Sequence, residues 1–362
     1  MKSKKWLILL ILLLAVVQVA FFVMQYMQRN LDNSDAFSGA TPLALKRKVP
    51  DGLSLIVDGK VKQEYVFSSD SFWLLAKARI RTPLVSPGGE ILGAYIYTGV
   101  PALYFLEGIV PQKSAEDVFD RPLDMVVIFT SASGRKVCFS YGELNTIDDS
   151  LPVTLAYHRE ALLPTKKDPE TYTLNKLPGN IAGLSLICPR EPDMSRYLDN
   201  VERMTLAVLP TPDHLLPVLS KNKECISASV ECIENNDKRP AFFAELLREE
   251  IPYWVRIGHG KGLKGQRPST ASGYPLGAFL RSNFPGCTEK DFFIFVGCDG
   301  YRGIFSGREI FLTAAGKSFY LLDTLDGGPM KEGIMVGAVS DFFIDRCVWG
   351  LSHVVRVEQP AF

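Results

Sequence analysis

The stretch whose residue types and spacing best suit chemistry is Gly258-His259-Gly260-Lys261-Gly262-Leu263-Lys264-Gly265-Gln266-Arg267. Its four glycines let backbone N–H groups approach a ligand, while Lys261, Lys264 and Arg267 supply positive charge. That combination suits a phosphate or another anion. Gly258, His259, Gly260, Lys261, Lys264 and Arg267 are therefore the candidate cofactor- or anion-binding residues. The same composition also suits an exposed surface loop, because glycine is a common turn residue. His259 has no second histidine or carboxylate at ligand spacing, so by itself it reads as a hydrogen-bonding loop residue.

Other chemistries find little support. Gly316-Lys317-Ser318 ends like a phosphate-binding loop, but Phe311 stands where the earlier glycine is required. H-E-x-x-H, G-x-S-x-G and C-x-x-C are absent from the sequence. Asp148-Asp149 and Glu249-Glu250 read as solvated acids. His158, His214 and His353 stand in unrelated segments, from which spacing alone builds no zinc site. No catalytic residue and no metal ligand is assigned. Arg196 and Arg346 are expected to pair with carboxylates rather than bind a free anion. Of the seven cysteines, Cys225 with Cys232, and Cys287 with Cys298, are near enough in sequence to pair. The odd total leaves at least one thiol unpaired within the chain. Cys188 and Cys347 lie in apolar surroundings and read as core residues.

The elements that carry these residues occur twice. Thr98-Gly99-Val100-Pro101-Ala102-Leu103-Tyr104-Phe105-Leu106 recurs as Ser272-Gly273-Tyr274-Pro275-Leu276-Gly277-Ala278-Phe279-Leu280. Ile128-Phe129, Ser133-Gly134-Arg135, Phe139-Ser140 and Glu143-Leu144 recur at identical spacing as Ile294-Phe295, Asp299-Gly300-Tyr301, Phe305-Ser306 and Glu309-Ile310. A looser third block pairs Gly183 and Arg196-Tyr197-Leu198 with Gly333 and Arg346-Cys347-Val348. Three ordered blocks argue for a tandem duplication.

Each block has a physical reading. Pro101 and Pro275 open apolar helices with Leu103, Leu106 and Ile109 on one face, entered sharply through Gly99 and Gly273. Met125 to Thr130 and Phe292 to Val296 read as buried strands. Ser133-Gly134 and Asp299-Gly300 read as hairpin turns. Ser140 and Ser306, each with glutamate three residues on, have capping-box spacing. Hairpins and short helices, without regular βαβ alternation, indicate an α+β fold. Pro210, Pro212 and Pro217 break the chain between copies. The expected division is 1–27 cytoplasmic tip and transmembrane helix, 28–50 linker, 51–209 first domain, 210–219 Pro-rich linker and 220–362 second domain.

Composition limits the classes of function. Forty basic residues balance forty acidic ones, which excludes a global attraction to nucleic acid. An apolar share of 47% excludes a mainly disordered chain. Much of that apolar excess is local: Trp6 to Met24 contains only Gln18 as a polar residue and follows Lys2, Lys4 and Lys5. As a helix this run reaches roughly 28 Å, about one hydrocarbon core. The lysines favour a cytoplasmic N-terminus, so the expectation is a single-pass anchor with an extracytoplasmic, periplasmic body. A cleaved signal sequence is the alternative and exports the same body.

Taken together, the T/S-G-x-P block with its helix, the S/D-G-Y/R turn and the F-S-x-x-E motif resemble the molybdopterin-binding oxidoreductase fold of the sulfite oxidase type. Leu53 to Gly59 and Arg196 to Leu206 also resemble it. The resemblance implies two tandem domains of that fold and, by resemblance only, a molybdopterin cofactor. It also implies one metal-ligating cysteine shortly before the G-x-P block. The matching stretches, Thr82 to Gly89 and Ile251 to Lys264, contain none. The expectation is therefore a membrane-anchored, extracytoplasmic binding or scaffold protein that lacks sulfite-oxidase-type catalysis and a resident cofactor. The alternative is a molybdopterin-dependent oxidoreductase with atypical metal ligation. A third reading is a subunit of an envelope complex, with the domain pair as its contact surface.

Overall fold

The computed structural model describes residues 49–145, 151–162, 181–220, 225–227, 229–255, 267–341 and 343–358. The expected transmembrane helix, almost all of the 28–50 linker, and residues 256–266 lie outside the described residues. Among the described residues no helix is long and apolar enough to cross a membrane. Pro50–Phe362 is one compact unit.

Short runs rich in β-branched and aromatic residues, punctuated by glycine turns, make the described chain mostly β. In the first half the strands are β1 (Ser54–Gly59), β2 (Tyr65–Ser68), β3 (Ala78–Val85), β4 (Ile91–Pro101), β5 (Met125–Ser131), β6 (Lys136–Ser140), β7 (Thr154–Ala161), β8 (Ser185–Ile187) and β9 (Val201–Val208). Helices α1 (Ser69–Leu74), α2 (Ala102–Glu107) and α3 (Tyr141–Asn145) lie between them. In the second half the strands are β10 (Glu231–Glu234), β11 (Asp237–Pro240), β12 (Glu249–Val255), β13 (Arg267–Pro275), β14 (Phe292–Gly297), β15 (Arg302–Ser306), β16 (Phe319–Leu325), β17 (Gly328–Pro329), β18 (Met335–Ala338) and β19 (Leu351–Val357). Helices α4 (Leu276–Asn283) and α5 (Gly307–Leu312) accompany them.

The strand orders repeat. One sheet runs β2-β1-β9-β5-β6 and its counterpart β11-β10-β19-β14-β15. The other runs β3-β4-β7-β8, matched by β12-β13-β16 with β17 and β18 both paired to β16. In each half the first strand pairs in parallel with the last, β1 with β9 and β10 with β19, which makes these sheets mixed. Even isolated bridges recur, Leu186 with Leu198 and Val336 with Val348.

The hairpin turns are where their chemistry places them, with Gly134 and Gly300 at φ of 81° and 80°. Gly99 and Gly273 serve a different purpose from the sharp helix entrance expected of them. Each sits inside a long strand at a register shift. A Cβ there would lie 2.3 Å from the Leu155 carbonyl oxygen at Gly99, and 2.0 Å from that of Leu321 at Gly273. Close backbone approach, not positive φ, demands glycine at both. Helix α2 is also shorter than expected. It buries Ala102, Phe105 and Leu106, leaves Leu103 half-buried, and ends at Gly108 before Ile109.

Strands β5 and β14 are buried on both faces, hence their unbroken apolar runs. Phe293 and Phe295 face the core of the second half with Phe279, Phe305 and Leu321. The alternate residues Phe292, Ile294 and Val296 meet Val126 and Ile128 of β5, together with Leu209 and Leu216 from the connecting segment. The two five-stranded sheets thus share an apolar layer.

Candidate functional site

At the ends of β6 and β15 a charged network lies beside this layer. Phe139-Ser140 closes β6 and Phe305-Ser306 closes β15. Each serine hydroxyl accepts a backbone N–H three residues on, Glu143 N to Ser140 and Glu309 N to Ser306, both at 3.0 Å. These are N-caps that satisfy an otherwise orphaned helix donor. At Ser306 the capping box is complete, since Glu309 accepts from the Ser306 N–H at 2.8 Å.

The hydroxyl hydrogens cross between halves. Ser140 donates to Glu309 Oε1 at 3.2 Å, and Ser306 donates to Glu143 Oε2 at 3.1 Å. Each glutamate is also held by the arginine of its own half. Arg196 reaches Glu143 through both terminal nitrogens, with Nη1 at 3.0 Å from Oε2. Arg346 Nη1 reaches Glu309 Oε2 at 2.9 Å. A second acid stands five residues before each arginine. Glu191 accepts from Arg196 Nε at 2.9 Å, and Asp341 accepts from Arg346 Nε and Nη2, each at 2.7 Å. The guanidinium groups stack over Phe139 and Phe305, at 4.0 Å and 4.4 Å from the ring centroids. Arg308 of α5 completes the cluster, binding Glu191 and, at 2.7 Å, Asp193.

Burial pulls the Arg346 pKa down, but Asp341 and Glu309 outweigh it, and the net shift is upward. Arg196 behaves likewise with Glu143 and Glu191. Burial, reinforced by the Glu143 charge and opposed by Arg346, raises Glu309 to about 7. The adjoining cavity, lined by Leu103, Leu144, Pro152, Cys188, Arg196 and Glu309 among others, measures about 30 Å³. That is room for roughly one water molecule, far below a small-molecule site. The cluster can fix two elements against each other.

The expected carboxylate partners of Arg196 and Arg346 are therefore present. Glu191, Asp341 and Arg308 carry no motif that marks them in the sequence, although the acid five residues before arginine recurs in both copies. Of the candidate ligand loop, Gly258, His259, Gly260, Lys261 and Lys264 lie outside the described residues. Arg267 opens β13, its backbone paired with Val255 of β12, so the loop connects an antiparallel hairpin. The structure does not gather His158, His214 and His353, and among the described residues no group of His, Cys, Asp and Glu is arranged to hold a metal.

The disulfide differs from either pairing considered. Cys225 joins Cys298, with Cys232 and Cys287 free. Proximity in sequence misleads because Cys298 follows β14, and its N–H binds the Gly350 carbonyl next to Cys225. Cys188 and Cys347 are buried, as expected of core residues. Burial raises the pKa of every free cysteine, Cys138, Cys188, Cys232, Cys287 and Cys347, so all are protonated thiols at neutral pH.

Fold and site together define a mostly β body with mixed sheets, built from two halves of one topology locked through buried charge. No family model matches the chain, and no curated protein matches it significantly. Among solved structures it is similar, distantly, to the sulfane dehydrogenase SoxCD from Paracoccus pantotrophus. The identity is 12%, the match covers 80% of this chain and 76% of that one, and the TM-score is 0.30.

Proposed function

We propose that the protein is a membrane-anchored, extracytoplasmic binding or scaffold module made of two sulfite-oxidase-like domains that lack the metal-ligating thiolate. The observation that carries this reading is the chemistry of the stretch before the first G-x-P block. There Thr82 is buried, donates to the Pro83 carbonyl at 3.0 Å, and lies 3.4 Å from the Tyr197 hydroxyl. An engaged alcohol is a hard oxygen group and no equivalent of a soft thiolate. The residues therefore do not fit a thiolate-held molybdenum. Cys138 follows the block on β6 and Cys287 follows α4, and both are held as neutral thiols. The interlocked halves support a rigid platform, and the basic loop from Gly258 to Arg267 is its candidate anion or pterin-like ligand site.

Metal and pterin analysis of the full chain purified in detergent tests this. Absence of molybdenum and tungsten above trace level is the expected result. Either metal at one equivalent, with a pterin released on oxidation, would overturn the proposal in favour of an oxidoreductase with atypical ligation.

A further inference from the structure

Helix α1 holds the first residues of the body. The Ser69 hydroxyl, at the first residue of α1, donates to the Pro50 carbonyl at 2.8 Å and accepts from Leu53 N–H at 3.0 Å. The point where the preceding chain arrives is therefore pinned to α1. Phe72 faces inward, fully buried against Phe105. The opposite side presents two large apolar side chains to solvent, Trp73 at 61% and Leu74 at 84% exposure. Lys77 folds over this face, its Nζ 4.7 Å from the Trp73 ring centroid and bonded to the Trp73 carbonyl at 3.0 Å. Val66, on the edge strand β2 just before α1, is exposed as well.

Adjacent exposed tryptophan and leucine beside lysine are the residue types that seat at a bilayer interface. The indole lies at headgroup level, the aliphatic chain goes below it, and the ammonium stays in the wet layer. Charge agrees with this reading. Residues 46–79 hold seven basic residues against four acidic ones in a chain that is neutral as a whole; with Lys60 paired to Asp117, Arg79 to Glu160 and Asp58 to Arg203, five basic residues remain against three acidic ones. Trp73 stands only about 6 Å along the helix axis from Ser69, at 1.5 Å per residue.

We propose that the α1 face of Trp73, Leu74 and Lys77 is a lipid-docking surface that seats the body on an anionic bilayer. The proposal rests on the membrane-anchored reading and adds the orientation of the body. A tethered patch needs little intrinsic affinity, because attachment to the membrane makes its docking an intramolecular event at high effective concentration.

The test uses the full chain in vesicles of 70% phosphatidylcholine and 30% phosphatidylglycerol, with Trp6, Trp254 and Trp349 replaced by phenylalanine so that Trp73 alone emits. Flotation first establishes membrane association. Docking predicts blue-shifted Trp73 emission, quenched at least two-fold by brominated acyl chains, with quenching reduced in pure phosphatidylcholine. Hydrogen exchange of residues 69–77 in the unaltered chain gives an independent readout. Protection should rise at least five-fold in anionic over zwitterionic vesicles, and Leu74→Asp should abolish that difference. A chain that floats but shows water-like, unquenched Trp73 and equal exchange in both lipids overturns docking while the anchor stands. A chain that does not float overturns the anchor and docking together.

Discussion

Gly142, on α3, offers the sharpest test of the buried network. It lies inside a helix and has no positive φ, so general helix propensity says that Gly142→Ala should stabilise the protein by up to about 1 kcal/mol. The structure requires the opposite sign. An alanine Cβ would stand 1.9 Å from Arg346 Cδ, 2.7 Å from Cγ and 2.9 Å from Nε. Arg346 cannot swing aside cheaply, because it is fully buried and its guanidinium is tied to both Asp341 and Glu309. Displacing it leaves carboxylates buried without their partner, a disruption of about 3–5 kcal/mol. For a body of this size each kcal/mol corresponds to about 2–4 °C, so the melting temperature should fall by roughly 6 °C or more. Thermal melts followed by circular dichroism measure this, with Gly88→Ala as the control, since its nearest neighbour is a flexible side-chain atom 3.8 Å away. Combining Gly142→Ala with Arg346→Met gives a double-mutant cycle, in which the alanine should cost little once the guanidinium is gone. A neutral or stabilising Gly142→Ala in the native background would refute the packing of Arg346 against α3.

Three further outcomes follow from the same elements. Glu309 is raised in the folded state from 4.5 to about 7, so folding takes up a proton between those values. Its contribution to stability is full below about pH 4.5 and is lost as pH rises through 7; melts from pH 5 to 8 should show this decline, flattened in Glu309→Gln. Ser306→Ala removes both the α5 cap and the donor to Glu143, and should cost about 1–3 kcal/mol by urea titration, with Ser140→Ala similar. Reduction of Cys225–Cys298, which spans 73 residues, should lower stability by about 2–4 kcal/mol in melts with and without reductant, and Cys225→Ser with Cys298→Ser should reproduce the loss.

Much of the strand framework was legible because its signals are local. The apolar runs of β5 and β14, the Ser133-Gly134 and Asp299-Gly300 turns, and the serine-to-glutamate spacing at Ser140 and Ser306 each encode structure within a few residues. Arg196 and Arg346 were legible as carboxylate partners by the cost of burying an unpaired charge. What escaped depends on distant chain segments meeting. Nothing near Gly99 announces that the Leu155 carbonyl will lie against it, and nothing near Cys225 announces Cys298. The crossing of Ser140 to Glu309 and Ser306 to Glu143 was equally hidden, since each capping box looks self-sufficient along the chain.

That crossing bears on whether the halves can fold apart. Separation would expose Val126 and Ile128 of the first half and Phe292, Ile294 and Val296 of the second, all buried in the shared layer. At about 1.5–3 kcal/mol for each buried aliphatic or aromatic side chain, those five residues represent at most about 8–15 kcal/mol. This rivals the whole stability of an ordinary domain. Separation would also strip each glutamate of the other half's hydroxyl. Each half is thus a large part of the other's folding free energy, and Pro50–Phe362 should melt in one calorimetric transition whose van't Hoff and calorimetric enthalpies agree. Substitutions on either side of the layer, such as Ile128→Ala or Ile294→Ala, should shift that single transition by about 2–5 kcal/mol each. Two resolved transitions, only one of them moved by Ile128→Ala, would show that the copies fold independently and that the crossing bonds are incidental.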